Sequence, residues 1–222
     1  HAPDAKAADA VHREAHGLAA ARIMEVTPEI ADAFMGAAEV DGAGAVLLPG
    51  NAEHDSGTRT ILFTDIVGST DITGQFGDDI ALEILLLHDR IVREALAANN
   101  GREVKHTGDG IMAVFHSAAS AVRCGMNVQQ SICGHRNDNP NIALQVRIGL
   151  AAGEPIEHHN DLFGSTVQLA ARLCARAEPE QILVSNGVAE LCIGKALPLK
   201  EVGEVSLKGF DKPVRAHSIV YA

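Results

Sequence analysis

Apolar and polar residues follow a regular pattern from Thr58 to the end of the chain, and the pattern predicts an ordered set of strands and helices. The run TRTILFTDI is rich in β-branched and apolar residues and ends near an acid, which is typical of a buried strand. The next segment, GDDIALEILLLHDRIVREALAANNG, has apolar residues at helical spacing and is closed by Gly101. The residues predicted to face the core from this helix are Ile80, Ile84, Leu87, Ile91 and Leu96.

The following segments extend the same order. REVKHTGDGIMAVF predicts a hairpin, SAASAVRCGMNVQQSI a helix with Ser117 as its N-cap, and NIALQVRIGLAAGEPIE a long strand. FGSTVQLAARLCARA then predicts a third helix, QILVSN a strand, and LKEVGEVSLKGFDKPVRAHSIVYA a final pair of strands. We therefore predict an α+β fold with a ferredoxin-like βαββαβ core and a C-terminal extension, in which helices cover one face of a mainly antiparallel sheet.

Residues 1–57 have a different character, because Ala, Asp, Glu and Gly dominate them. Helical stretches are predicted at about residues 3–21 and 28–38, and DGAGAVLLPGNAEHDSG is typical of a linker. His12 and His16 are four residues apart and would share a helix face, where a metal could bind, but a solvated helix face is the favoured interpretation. We expect this zone to be the end of an upstream regulatory region, and residues 58–222 to form the main domain.

Composition and charge narrow the possible partners and the compartment. The net charge of −11 argues against a nucleic-acid partner. No apolar run reaches the length of a membrane span, and the polar start does not resemble a signal peptide. The four cysteines are scattered, which favours buried reduced thiols in a cytoplasmic protein. They are Cys124, Cys133, Cys174 and Cys192.

Two acids fall where predicted neighbouring elements end: Asp65 at the end of the first strand, and Asp109 at the tip of the hairpin. Either acid alone is explained by local structure, since Asp-Gly suits a tight turn and an acid can cap a strand end. In the predicted sheet, however, both would lie at the same edge, where two carboxylates repel each other unless a cation joins them. Mg²⁺ accepts this kind of ligand pair together with substrate phosphates.

The segment after Asp65 adds a candidate phosphate site. Gly68 opens the backbone, so that the N–H groups near Ser69 and Thr70 point outward. Together with the acids, these amides predict a two-metal phosphoryl-transfer site.

Five motifs in this order resemble the catalytic domain of class III nucleotide cyclases of the bacterial adenylyl cyclase type: FTDIVGST, VKHTGDGIMAVF, VRIGLAAGEP, DLFGSTVQLAARL and LKGF. The resemblance covers about residues 58–222. It implies a homodimer with composite sites at the interface, ATP as substrate, and two Mg²⁺ or Mn²⁺ ions. The implied reaction is in-line attack of the ribose 3′-OH on the α-phosphate, which gives 3′,5′-cyclic AMP and pyrophosphate.

The resemblance also implies roles for individual residues near the metals and the base. Asp65 and Asp109 correspond to the metal ligands, with the backbone carbonyl of Ile66 as a third. Lys105 and Asp161 correspond to the residues that recognise the purine. A lysine can donate to N1 of adenine and a carboxylate can accept from its N6, so this pair is expected to select ATP over GTP. The alternatives are a surface lysine and a helix cap.

Three further positions follow from the resemblance. Arg172 corresponds to the arginine that stabilises charge on the α-phosphoryl group, and an ordinary helix ion pair is its alternative. Gln168 stands where many members have the asparagine that orients the ribose. Lys208 corresponds to the lysine that binds the terminal phosphates. Glu154 replaces an arginine that some relatives use for phosphate, so phosphate binding is expected to depend on Lys208, the metals and backbone amides.

Two other classes of function compete with an active adenylyl cyclase. A diguanylate cyclase or polymerase also uses strand-end acids, but TGDGI lacks the GG[DE]EF hairpin, and the acidic chain lacks the basic channel that a template requires. A catalytically weak or degenerate cyclase fold could act as a nucleotide-binding signalling dimer. Only Gln168 favours this second alternative, because the candidate metal acids and Arg172 are present.

Overall fold

The computed structural model describes residues 57–138 and 144–221, together with two short strands, β1 (Glu39–Val40) and β2 (Val46–Leu47). The chain divides into two units, residues 1–54 and 55–222.

In the first unit, β1 and β2 pair antiparallel, with Val40 opposite Val46. Strand β2 falls within the predicted linker, so that prediction was wrong at Val46 and Leu47. The helices predicted at residues 3–21 and 28–38, and the pair His12 and His16, lie outside the described residues.

The second unit contains nine strands and five helices within its described residues. In chain order they are β3 (Arg59–Ile66), α1 (Ser69–Phe76), α2 (Asp78–Ala98), β4 (Arg102–His106), β5 (Ile111–Phe115), α3 (Ala118–Asp138), β6 (Val146–Gly153), β7 (Ile156–His158), β8 (Asp161–Phe163), α4 (Ser165–Arg176), β9 (Ile182–Ser185), α5 (Asn186–Leu191), β10 (Leu199–Val205) and β11 (Val214–Ile219).

Seven of these strands form one sheet in the order β10-β11-β9-β6-β3-β5-β4. Every neighbouring pair is antiparallel except β6 and β9. The four strands β6-β3-β5-β4 come from the βαββαβ segment and have the ferredoxin-like order, which confirms the predicted core. Strand β3 lies between β6 and β5, so its C-terminal end is next to the β4–β5 turn.

Helices cover both faces of the sheet, so the prediction of a single covered face was wrong. One face carries Leu62, Ile148 and Leu150, which share a core cluster with residues of α2 and α3. The opposite face carries Ile61 and Met112, which pack with residues of α4. Because successive strand residues point to opposite faces and both sets are apolar here, both faces need a cover.

Helices α2, α3 and α4 lie where they were predicted, whereas α1 and α5 were not predicted. In α2, Ile84, Leu87, Ile91 and Leu96 are buried as expected. Ile80 is 39% exposed, contrary to the prediction: it lies in the first turn of α2, and the buried residues of this helix begin at Ile84.

The start of α3 and the state of the cysteines also bear on the predictions. Ser117 Oγ accepts a hydrogen bond from Ser120 N–H at 3.3 Å, as an N-cap does. The cysteines are free thiols, but Cys133 is exposed rather than buried.

Among residues 57–138 and 144–221, no helix combines the length and apolar character that crossing a bilayer requires.

Candidate active site

The two predicted acids meet at one edge of the central sheet. Asp65 is the penultimate residue of β3, and Asp109 lies in the turn between β4 and β5. The N–H of Ile66 donates a hydrogen bond to the backbone carbonyl of Asp109 at 3.0 Å. The strand end and the turn are therefore joined directly beside both carboxyl groups.

Gly110 makes this close approach possible. A Cβ at this position would lie 1.9 Å from the carbonyl oxygen of Thr64, which is backbone and cannot move aside. The glycine after Asp109 is thus required by contact with β3, and not only by the turn. Any larger residue would push the turn, and Asp109 with it, away from Asp65.

The two carboxyl groups have different surroundings. Arg147 Nε donates to Asp65 Oδ2 at 2.6 Å, and Ser69 Oγ donates to Asp109 Oδ2 at 2.8 Å. Burial raises the pKa of Asp65 above its ordinary value, and the nearby Asp109 adds to this, although Arg147 opposes both. The positive charge that Arg147 supplies therefore does not fully compensate the partly buried acid, and a further cation at this edge would be favoured.

The donor set fits a divalent cation of the Mg²⁺ or Mn²⁺ type. Two carboxylates and the backbone carbonyl of Ile66 are oxygen donors, which these ions prefer. In the described part of the chain, no three side chains of His, Cys, Asp or Glu form a metal site. The pair Asp65 and Asp109 would therefore depend on water and on substrate oxygens to complete the coordination, as Mg²⁺ commonly does with phosphates.

A helix N-terminus lies beside the acids. Helix α1 begins at Ser69, after Gly68 in a left-handed conformation with φ of 68°. The N–H of Ile72 bonds to the carbonyl of Gly68, so the N–H groups of residues 69–71 have no partner within the helix. A cavity of about 190 Å³ opens here, lined by Ser69, Gly108, Asp109 and apolar residues of α1 and α2. The N–H groups at a helix N-terminus suit an anion, and this N-terminus lies beside the cavity.

The pair predicted to recognise the base is also in contact. Lys105 Nζ lies 2.6 Å from Asp161 Oδ2, and it stands 5.6 Å from the ring centre of Phe163. Asp161 begins strand β8 and accepts a hydrogen bond from Leu162 N–H. It does not cap α4, whose N-cap residue is Gly164, so the helix-cap alternative is wrong.

Gln168 and Arg172 lie one turn apart on α4, and both are exposed. The side chain of Arg172 forms no hydrogen bond or ion pair with any residue that the structure describes. The alternative of an ordinary helix ion pair therefore has no support in residues 57–138 and 144–221.

Lys208 lies in the exposed turn that follows β10. Its neighbour Leu207 packs in one apolar cluster with Leu173 of α4. The Lys208 turn is thereby held against the helix that carries Arg172. Glu154, in the segment between β6 and β7, is exposed.

The sequence analysis did not identify three residues that lie beside this site. Arg147 is the only charged residue in the otherwise apolar or small-residue strand VRIGLAAG, and this isolation was the available signal. His88 and Asp89 lie in the middle of α2 and are buried. Their signal was spacing, since His88 is in phase with Ile84 and Ile91, which face the core.

The ferredoxin-like sheet, with acids at its central strand end and adjacent turn, defines a domain of the nucleotide cyclase class. The chain belongs to the family of adenylate and guanylate cyclase catalytic domains, whose model matches residues 52–221. Its fold is that of the crystal structure of an adenylate/guanylate cyclase/hydrolase from Silicibacter pomeroyi, with a TM-score of 0.68, 30% identity, and coverage of 74% of this chain and 97% of that one.

Curated proteins are also similar to this chain. An uncharacterized protein of Mycobacterium tuberculosis is 34% identical over 165 residues, which are 73% of this chain and 41% of that protein. A protein of Streptomyces coelicolor named adenylate cyclase is 29% identical over 149 residues, 67% of this chain and 38% of its own. The chain thus spans about two-fifths of the length of these curated relatives.

Proposed function

We propose that this domain is an adenylyl cyclase, which converts ATP into 3′,5′-cyclic AMP and pyrophosphate at composite sites of a homodimer. The observation that carries the proposal is the junction of Asp65 and Asp109 at one sheet edge, beside the free N–H groups of α1. Such an edge offers oxygen ligands to a divalent cation and amides to a polyphosphate. Both are needed to bind a nucleoside triphosphate on a chain whose net charge is −11.

The acids and the phosphate-binding groups have separate tasks. Asp65 and Asp109, with the carbonyl of Ile66, would hold Mg²⁺ or Mn²⁺. Cations held there would lower the pKa of the 3′-hydroxyl and neutralise phosphate charge. The amides near Ser69 and Thr70 bind phosphate oxygens by the same physics as other helix N-termini.

Residues of α4 and of the Lys208 turn act on the phosphate groups and the ribose of the substrate. The guanidinium of Arg172 stabilises negative charge that develops on the α-phosphoryl group. The amide of Gln168 orients the ribose, and its extra methylene relative to asparagine makes that orientation looser. Lys208 neutralises the terminal phosphates, a task that Glu154 cannot perform.

Lys105 and Asp161 recognise adenine in this proposal. Lys105 donates to N1 and Asp161 accepts from the N6 amino group. The two side chains pair with each other at 2.6 Å, so their hydrogen-bonding atoms point to a common place. The Lys105 side chain is 44% exposed, and an exposed ion pair of this kind contributes only about 0–1 kcal/mol, so exchanging it for contacts with a base costs little.

The dimer is proposed because Arg172 does not engage the acids of its own chain. It is exposed on α4, one turn from Gln168, and forms no hydrogen bond or ion pair with Asp65 or Asp109. An exposed arginine with no partner among the described residues is a suitable donor to a site that a second copy completes.

The experiment that tests the proposal compares three matched substitutions. Asp65→Asn and Asp109→Asn keep side-chain volume and remove one charge each, and exposed Asp138→Asn is the control. We expect cyclic AMP formation with Mn²⁺ to fall at least about a thousandfold in the first two variants, because each removes a charged ligand. Circular dichroism should show that all three remain folded. Substantial activity in Asp65→Asn would contradict the metal assignment.

A further inference from the structure

A buried polar network lies behind the two candidate metal acids. His88 is fully buried in α2, with Nε2 at 3.0 Å from Thr64 Oγ1 and Nδ1 at 3.1 Å from Asp89 Oδ1. His106, at the end of β4, places Nε2 at 3.1 Å from the same oxygen of Asp89. One carboxylate oxygen therefore joins an imidazole from α2 to an imidazole from the catalytic hairpin.

The hydrogen positions on His88 follow from the partners. A carboxylate can only accept, so His88 Nδ1 carries a hydrogen and donates to Asp89. Burial lowers the pKa of His88, which favours the neutral ring. Its Nε2 then accepts from the Thr64 hydroxyl, whose oxygen in turn accepts from the N–H of Ile111 at 2.9 Å. We call this chain of hydrogen bonds, from Asp89 through His88 and Thr64 to Ile111, the first arm of the network. It ends on the backbone of β5.

The second arm runs from Asp89 through His106 to Gly108, and its hydrogen positions also follow from the partners. The N–H of Gly108 donates to His106 Nδ1 at 3.1 Å, so the hydrogen of the neutral ring is on Nε2 and is donated to Asp89. The other oxygen of Asp89 pairs with Arg93 at 3.1 Å. Asp89 is only 8% exposed, and both of its oxygens are engaged.

The ends of the two arms distinguish this network from one that only stabilises the core. Thr64 immediately precedes Asp65, and Gly108 immediately precedes Asp109. Each arm is therefore fixed one residue away from one of the two acids, and Asp89 is common to both. Gly110 packs so closely against the backbone of Thr64 that not even a Cβ would fit between β3 and the turn. A displacement of either arm would therefore change the separation of the carboxyl groups.

We propose that Asp89, acting through His88 and His106, is a positioning residue that sets the separation of Asp65 and Asp109 for divalent cations. The inference rests on the proposed function, since it takes these two acids as metal ligands. Residues that orient metal ligands from behind typically change metal affinity about 10- to 100-fold when they are removed. The same range is expected here.

Two substitutions of His106 separate the arm to Asp89 from the bond within the turn. Gln places its amide nitrogen near the position of Nε2 and preserves donation to Asp89. Asn places its oxygen near the position of Nδ1, preserves the Gly108 bond and loses Asp89. His106 is partly exposed, with 31% of its side chain accessible, so both variants are expected to fold. Asp89→Ala releases both arms, and Val188→Ala, a buried substitution in α5, is a control for lost stability.

The measurement is Mn²⁺ binding, by electron paramagnetic resonance titration in the presence of 3′-deoxy-ATP, which lacks the reacting hydroxyl. We expect the Mn²⁺ dissociation constant to rise at least about tenfold in Asp89→Ala and His106→Asn. His106→Gln should stay within about threefold of the unsubstituted protein, and Val188→Ala should not change. Such a pattern would not arise from lost stability alone.

Asp65→Asn serves as the reference that distinguishes failure of the positioning role of Asp89 from failure of the proposed function. Wild-type affinity in His106→Asn, with weakened affinity in Asp65→Asn, would overturn the positioning role and leave the proposed function intact. Equal loss in His106→Gln and His106→Asn would also overturn it, because the link to Asp89 would then be irrelevant. Absence of nucleotide-dependent Mn²⁺ binding in the unsubstituted protein, or wild-type affinity in Asp65→Asn, would overturn both inferences.

Discussion

Arg147 Nε lies 2.6 Å from Asp65 Oδ2, so strand β6 supplies a guanidinium group directly to one of the two acids at the sheet edge. The same side chain donates from Nη1 to the carbonyl of Ala175 at 3.0 Å. Arg147 thus ties Asp65 to the end of α4 and partly balances its charge before any cation arrives.

Replacing this arginine is expected to make the protein more dependent on added metal. Arg147→Met removes a hydrogen bond to a charged group, which should cost about 1–2 kcal/mol, or about 3–6 °C in Tm at this size. Mn²⁺ then supplies the missing positive charge, so it should raise the Tm of Arg147→Met more than that of the unsubstituted protein. Thermal melts with and without Mn²⁺ measure this, with Arg215→Met, whose pair with Glu201 is exposed, as control. Equal Mn²⁺ shifts in both proteins would contradict the expected compensation.

The composite site predicts complementation between inactive chains. Asp65→Ala removes the metal side of the site, and Arg172→Ala removes the α4 side. In a mixed dimer, one of the two sites regains every group, so an equal mixture should recover about a quarter of the unsubstituted activity if subunits exchange freely. Cyclic AMP formation by each variant alone and by the mixture is the measurement. No recovery, with mixed dimers demonstrated by native mass spectrometry, would mean that each site is built within one chain.

Asp89 makes stability depend on pH in a defined direction. Burial alone would raise the pKa of Asp89, but the hydrogen bonds that His88 and His106 donate outweigh it, and the pKa lies below its ordinary value of 3.8. Arg93 also faces this carboxylate. The unfolded chain therefore takes up a proton at a higher pH than the folded protein. The resulting stabilisation is fully present above about pH 4 and is lost as the pH falls through the folded-state pKa.

Urea unfolding of Asp89→Asn against the unsubstituted protein tests this direction. We expect the variant to be about 1–3 kcal/mol less stable at pH 7, because a buried charged acceptor is lost. The difference should shrink below about pH 4, where Asp89 begins to protonate in the unfolded chain, and should be smallest once the pH has fallen through the folded-state pKa. A difference that stays constant from pH 7 to pH 3 would show that the charge of Asp89 does not stabilise the fold.

The parts of the fold that were predictable from sequence are those set by local periodicity. The apolar residues from Ile84 to Leu96 repeat at helical spacing, and TRTILFTDI has the composition of a buried strand, so both elements were predicted correctly. The position of α4 was not predictable in this way. Its apolar side fits either face of the sheet, and contacts between distant residues such as Ile61 and Ala170 decide which face it covers.

The candidate site divides along the same line. Asp65 and Asp109 were brought together correctly because the strand and turn that carry them are paired by the βαββαβ order. Asp161 was given a helix-cap alternative because it lies just before the predicted third helix. Strand β8 was not predicted, since a three-residue strand has little periodic signal and is fixed by its partner β7. The network of His88 and Asp89 was not predicted, because helical spacing places His88 on the core face but does not show which distant residues, such as Thr64 and His106, it and Asp89 bind.

Base selectivity depends on the Lys105 and Asp161 pair and can be changed through it. Guanine would place a donor against Lys105 and a carbonyl against Asp161, and each mismatch should cost about 1–3 kcal/mol. Lys105→Glu combined with Asp161→Ser should therefore erode the ATP preference and permit GTP turnover. The kcat/KM values for both nucleotides, in the unsubstituted protein and the double variant, measure this. An unchanged ratio would mean that the purine is recognised elsewhere.

The identity of the reaction product shows most directly whether this domain is an adenylyl cyclase. The purified domain is incubated with equal concentrations of ATP and GTP and excess Mn²⁺, and the nucleotides are separated and identified by mass spectrometry. We expect 3′,5′-cyclic AMP with one pyrophosphate per turnover, formed in at least about hundredfold excess over cyclic GMP. Hydrolysis products without any cyclic nucleotide would contradict the assignment of a cyclase, and equal amounts of the two cyclic nucleotides would contradict the assignment of ATP as its substrate.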